Sequence, residues 1–246
     1  MLRKQGGFTL VELMVTMVIF VLAIAAASNI FSGLVNQFKQ QSRVAQTNIE
    51  GIIGLELLRN DLEQAGFGLP WSLNSATYNE ASPELGKYDP YNSDSSIKDV
   101  SGSLYNDATS NPPRAIVTDV DRLMNGSDVL VIKATNVAMN EASNKWTYIT
   151  NNDGVIKLRD PWGVSTDDLD KGDKVIVIAP SGAGAQRILI NSGQFWTNFS
   201  DSLGDWNAGF LPGPNTNNPV YGIKKGGASE VNPRMPFNRA DYYVKR

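Results

Sequence analysis

Gly7, Phe8 and Glu12 are the residues of this 246-residue chain whose types and spacing point most directly to chemistry. The pair Gly6-Gly7 follows a short basic leader containing Arg3 and Lys4, and it precedes 26 uncharged residues, Leu13–Phe38. A secretory signal carries its small-residue cleavage site after the apolar region, which is then discarded. Here the small residues come first. Cutting the Gly7–Phe8 bond would leave the apolar segment on the product and create a free α-amine at Phe8. Glu12 supplies a carboxylate four residues further on. Such a group costs roughly 2.5–3.5 kcal/mol near a bilayer centre and less toward the interface, so it calls for a cation. A local role is open as well: Thr9-x-x-Glu12 fits a capping box, in which both side chains satisfy backbone N–H groups at a helix start.

Much other chemistry is excluded by composition. The chain has no histidine and no cysteine, which removes Ser-His-Asp and Cys-His catalysis, His-metal sites, disulfides and Cys-ligated clusters. With 22 basic and 25 acidic residues the net charge is −3, so there is no basic excess to hold phosphates. Asp167, Asp168, Asp170 and Asp173 crowd one stretch, but without the Asp-x-Asp-x-Asp-Gly spacing and distal Glu of a calcium loop they read as an acidic surface turn. Ser181-Gly182-Ala183-Gly184-Ala185 is too short for a nucleotide loop. Phe20, Phe31 and Phe38 read as packing residues of a helix. No enzyme activity, cofactor or metal is expected.

The elements that must position Gly7, Phe8 and Glu12 follow from patterning. Leu13–Phe38 would span roughly 39 Å as a helix, enough to cross a bilayer. Apolar residues then recur at helical spacing, among them Leu34, Val35, Phe38, Ile49, Ile52, Ile53, Leu58, Leu62 and Ala65, with Lys39, Arg43, Arg59 and Glu63 between them. Gly33, Gly51 and Gly54 weaken the helix locally, and Gly66, Gly68 and Pro70 end it. Beyond lies a β-rich head. Arg114–Asp119, Val129–Ile132 and Val175–Ile178 read as strands, and two hairpins are expected around Asn152-Asp153-Gly154 and Asn191-Ser192-Gly193. The expected fold is α+β: a long N-terminal helix, apolar in its first half and amphipathic in its second, packed on a mostly antiparallel sheet as a lollipop. Its divisions are a leader at 1–7, a transmembrane helix half at 8–38, an amphipathic half at 39–66 and a head at 67–246. A polar, Tyr-containing surface excursion is expected at about 71–113, where Tyr78, Tyr88, Tyr91 and Tyr105 serve chiefly as anchors.

Gly7-Phe8-Thr9-Leu10-Val11-Glu12-Leu13 resembles the processing motif of type IV prepilins and type II secretion pseudopilins. Arg59-x-Asp61-Leu62-x-x-Ala65-Gly66-Phe67-Gly68 resembles the helix end of PilW-like minor pilins and, less closely, of GspJ-type pseudopilins. The resemblance implies that a prepilin peptidase cuts after Gly7 and N-methylates Phe8. It further implies that the subunit sits in the bacterial inner membrane with its head in the periplasm, then joins a pilus by pairing Glu12 with a neighbour's Phe8 amine. The implied partners are other minor and major pilins and the inner-membrane assembly platform, and the implied role is to prime pilus assembly near the tip. A GspJ-type pseudopilin is the nearest alternative. From another class, a tip adhesin or DNA-uptake subunit is the runner-up. Many relatives close the C-terminal region with a disulfide, which this chain cannot form. Many also continue past the Tyr242-Tyr243-Val244 strand, so an open strand edge is expected there.

Overall fold

The computed structural model describes residues 9–80, 105–107, 109–120, 128–137, 141–159, 167–180, 187–227 and 232–243. Two compact units divide it, Met1–Leu57 and Leu58–Arg246. From Leu10 on the first belongs to a single helix, α1, Leu10–Glu63, whose last turns fall in the second unit. No proline interrupts it, and the spaces around Gly33, Gly51 and Gly54 are open, so these glycines cost propensity without breaking the helix. Its 54 residues reach about 80 Å at 1.5 Å each, and its apolar part is long and apolar enough to cross a membrane.

Asp61 is the one buried residue among the described residues of α1. Val44, Ile49, Ile52, Ile53 and Leu55 are exposed in this single chain, and the core takes side chains only from Leu58 onward. The apolar residues of this stretch lie on two opposite faces rather than one. At 100° per residue Ile49, Ile52, Ile53 and Leu57 share one side, while Leu55, Leu58 and Leu62 share the other.

The second unit holds two sheets. Among the described residues its nine strands are β1 Ile116–Asp119, β2 Val129–Ala134, β3 Trp146–Asn152, β4 Val155–Arg159, β5 Lys174–Pro180, β6 Arg187–Leu189, β7 Thr197–Asn198, β8 Thr216–Lys224 and β9 Asn238–Tyr243. One sheet has the order β1-β2-β9; the other runs β4-β3-β8-β5-β6, with β7 also on β5. Every strand pair among the described residues is antiparallel, and they add one parallel bridge, Ser72 with Ile188. The fold is therefore α+β, one long N-terminal helix and a mostly antiparallel β domain.

Strand β2 explains how the smaller sheet meets its surroundings. Its apolar run is buried on both faces, as such runs are when covered on both sides. Ile132 and Ala134 join Leu58, Ala65, Phe67, Ala240 and Tyr242 on the face that seats the helix end. Val129 and Val131 point the other way, toward Tyr105, Val117 and Tyr243. In the larger sheet, Ile149, Val175, Val177 and Val220 pack with Phe199, Trp206 and Phe210, while Ile176, Ile178, Tyr221 and Ile223 pack with Leu69, Leu73, Tyr78, Trp196 and Phe237.

Three sequence expectations are corrected. The second expected hairpin does not form: β6 pairs with the C-terminal end of β5 and β7 with its N-terminal end, because the long β5 offers partners to both. The first does form, with Asn152 opposite Val155 and both loop residues, Asp153 and Gly154, at positive φ, as a tight right-twisting turn requires. Within the stretch 71–113 expected as a surface excursion, Leu73, Ala76, Tyr78, Glu80 and Tyr105 are buried rather than on the surface, and 81–104 lie outside the described residues. Tyr78 and Tyr105 act as anchors; Tyr88 and Tyr91 lie outside the described residues. Finally β8, the central strand between β3 and β5, has no counterpart in the sequence reading.

Candidate functional site

At the helix start Thr9 and Glu12 face one another. Thr9 Oγ1 accepts from the Glu12 amide at 3.3 Å, while Glu12 Oε2 accepts from the Thr9 amide and from Thr9 Oγ1, both at 3.1 Å. This is the reciprocal capping box the spacing allows, and it places the carboxylate in the first turn, where the helix dipole favours negative charge. Gly7 and Phe8, the expected cleavage junction and methylation site, lie outside the described residues. Next to the box the helix surface is apolar and open: Leu10, Val11, Met14 and Phe20 are each more than half exposed.

The helix ends in a seat built from glycine. Gly66 and Gly68 have φ of +82° and +72°, a conformation that stops α1 without strain only in residues lacking Cβ. The Gly66 amide donates to the Lys133 carbonyl at 3.0 Å, and the Thr135 amide donates to the Phe67 carbonyl at 2.9 Å, so the chain leaving the helix bonds directly to β2. A Cβ on Gly68 would lie 2.3 Å from Thr135 Oγ1. Tyr242 on β9 donates its hydroxyl to Asp61 Oδ2 at 2.6 Å, tying the final described strand to α1. Burial first, then the Asp61 hydrogen bond and charge, push the Tyr242 phenol well above its usual value near 10.

A second polar constellation escaped the sequence reading. Lys133 on β2 is wholly buried, and its Nζ donates to Glu80 Oε1 at 3.0 Å, to Asp107 Oδ2 at 2.7 Å and to the Tyr105 carbonyl at 2.9 Å; Glu80 Oε2 lies 2.8 Å away. Arg239 Nη1 donates to Glu80 Oε2 at 3.1 Å and Arg114 Nε to Asp107 Oδ1 at 2.6 Å. The Asp107 amide donates to Glu80 Oε1 at 3.0 Å. Burial alone would raise the Asp107 carboxyl, but hydrogen bonds from Lys133 and from both the amide and the guanidinium of Arg114 hold it below the usual carboxylate range. Burial and the carboxylates of Glu80 and Asp107 push the Tyr78 phenol far upward. The one sequence signal for this cluster was a lysine continuing the apolar run Val129–Ile132; its partners lie 53 and 26 residues away and leave no local pattern.

The acidic stretch read as a surface turn is only partly at the surface. Asp173 is buried and its carboxylate accepts from the amides of Asp170 and Gly226, whereas Asp170 pairs with Lys145. Among the described residues no group of three or more acids is placed to hold a metal ion. The Ser181–Ala185 loop lies outside the described residues.

Comparison with family models finds the prokaryotic N-terminal methylation motif at residues 2–28. Neither the curated proteins nor the solved structures yield a match. The N-terminus thus carries a type IV prepilin-like signal, which leads into a helix suited to membrane anchoring. That motif supports a pilin-like or pseudopilin protein, and it implies processing by prepilin peptidase and assembly with other pilins.

Proposed function

We propose that this chain is a minor type IV pilin of the PilW-like kind, a structural subunit that primes pilus assembly near the tip. The observation that carries the reading is the methylation motif running without interruption into an apolar, exposed helix of 54 residues. In this reading prepilin peptidase cuts after Gly7 and methylates Phe8, and the head stays in the periplasm while the helix waits in the inner membrane. Glu12 then plays two parts. In the single subunit its carboxylate is satisfied by Thr9 within the capping box. On assembly it exchanges that partner for the Phe8 amine of a neighbour, a trade of two charge-assisted hydrogen bonds for a full ion pair in a medium of low dielectric. The helix-end block from Arg59 to Gly68 supports the PilW-like assignment over the general family.

The Glu12→Ala variant is expected to be made, cleaved and inserted at wild-type levels while the number of pili per cell falls. Unchanged pilus number and composition would overturn the reading. A GspJ-type pseudopilin shares the same motif, and loss of protein secretion with intact piliation on deleting the chain would favour it instead.

A further inference from the structure

Lys133, Asp107 and Glu80 have the makings of a covalent cross-link. An amine and a carboxyl condense readily only when they are held together away from water, because alignment removes the entropy of encounter and exclusion of solvent favours release of the water formed. In this head the Lys133 side chain is 0% exposed, Glu80 0% and Asp107 5%, and Lys133 Nζ lies 2.7 Å from Asp107 Oδ2. Phe237 lies beside the amine, its ring centroid 5.8 Å away. Taking three ionised groups into such a site is costly, and condensation of one pair removes two of those charges.

We infer that Lys133 and Asp107 form an intramolecular amide, with Glu80 moving the protons. Glu80 Oε2, 2.8 Å from the amine, takes a proton from Lys133 and delivers it to Asp107 Oδ2. The neutral amine then attacks Asp107 Cγ, forming the N–C bond. Charge develops on Oδ1, which already accepts from the Arg114 guanidinium at 2.6 Å and is stabilised there as an oxyanion. A second proton passes from nitrogen through Glu80 to Oδ2, the Cγ–Oδ2 bond breaks and water leaves. In sum an ammonium and a carboxylate become an amide and one water, with no oxidant or reductant, and Glu80 ends as it began. The Asp107 amide and Arg239, which both bond to Glu80, keep that carboxylate aimed at the reacting pair.

The bond would join β2 to the segment at Tyr105–Asp107. Cysteine is absent from the chain, so a disulfide cannot perform the same task.

Tryptic mapping of the folded full-length chain tests this. An amidated Lys133 resists trypsin, so peptides 123–133 and 134–145 should be replaced by one species in which 123–145 is joined to 99–114, lighter by one water than the sum of the two. Recovery of unlinked 99–114, 123–133 and 134–145 in full would overturn the proposal, as would a link from Lys133 to peptide 60–87, which carries Glu80. Asp107→Asn should form the same link with loss of ammonia in place of water. Glu80→Gln should fold yet remain unlinked; a link that persists in that variant would overturn the role given to Glu80. The wild-type map decides the existence of the bond even if a variant fails to fold.

Discussion

Removing the Tyr242 hydroxyl should measure what holds the helix end to the last described strand. Asp61 is 5% exposed, and among the described residues its hydrogen bond comes from Tyr242 at 2.6 Å. A hydrogen bond to a charged group contributes about 1.5–3 kcal/mol, and deleting its donor leaves a buried carboxylate without that compensation. Tyr242→Phe changes no other atom. We expect it to lower unfolding free energy by about 2 kcal/mol, which for a unit of this size corresponds to a fall in Tm of about 4–8 °C. Asp61→Asn should cost less, since an amide oxygen still accepts from the phenol. In a double-mutant cycle with Asp61→Leu and Tyr242→Phe the coupling should be about 1.5 kcal/mol. Urea unfolding of the detergent-solubilised chain, followed by tryptophan fluorescence, is the appropriate assay. All five tryptophans lie between Trp71 and Trp206, so the signal reports on the second unit. A change in stability below about 0.5 kcal/mol for Tyr242→Phe, or a coupling near zero, would refute the argument that this bond seats the helix.

Gly68→Ala should destabilise the head by more than about 2 kcal/mol in the same assay, combining the left-handed backbone penalty with the overlap on Thr135, whereas Gly51→Ala, with open space around it, should raise helix stability by about 0.5–1 kcal/mol. The raised phenols of Tyr78 and Tyr242 make stability depend on alkali: their contribution is complete below about pH 10, where both states keep the proton, and is lost as pH rises beyond it because the unfolded chain ionises first. Unfolding followed against pH should show that decline, and Tyr78→Phe with Tyr242→Phe should flatten it.

Local signals in the sequence located much of this architecture. The uncharged run after Glu12 marks the helix, glycines at 66 and 68 mark its end, and runs of four aliphatic residues mark β2 and β5, because each of these features acts within a few residues of itself. Asp153-Gly154 specifies its turn by backbone conformation alone. Strand β8 shows the opposite case. Its Pro219 and Gly222 argue against a central strand, yet Pro219 faces Tyr148 and Gly222 is required where a Cβ would fall 1.9 Å from the Ala142 carbonyl oxygen. Packing between distant segments decides such a strand, and no window of sequence displays it. The same holds for Lys133, Glu80, Asp107 and Arg239, whose association depends on β2 and β9 being neighbours. At the N-terminus the residue types were plain from the start, and the structure adds the reciprocal bonding of Thr9 and Glu12.

The union of Gly66 and Phe67 with β2 sets an order of events for biogenesis. Residues 58–68 emerge early in synthesis, but the carbonyl and amide that receive them belong to Lys133 and Thr135, and the phenol that meets Asp61 belongs to β9, made later still. Until that strand has left the ribosome the seat for residues 58–68 lacks the phenol that meets Asp61, so the helix end cannot dock completely before β9 is made. A shortened soluble head for structural work must for the same reason begin upstream of Leu58, because trimming to the first strand would strip out part of its own core.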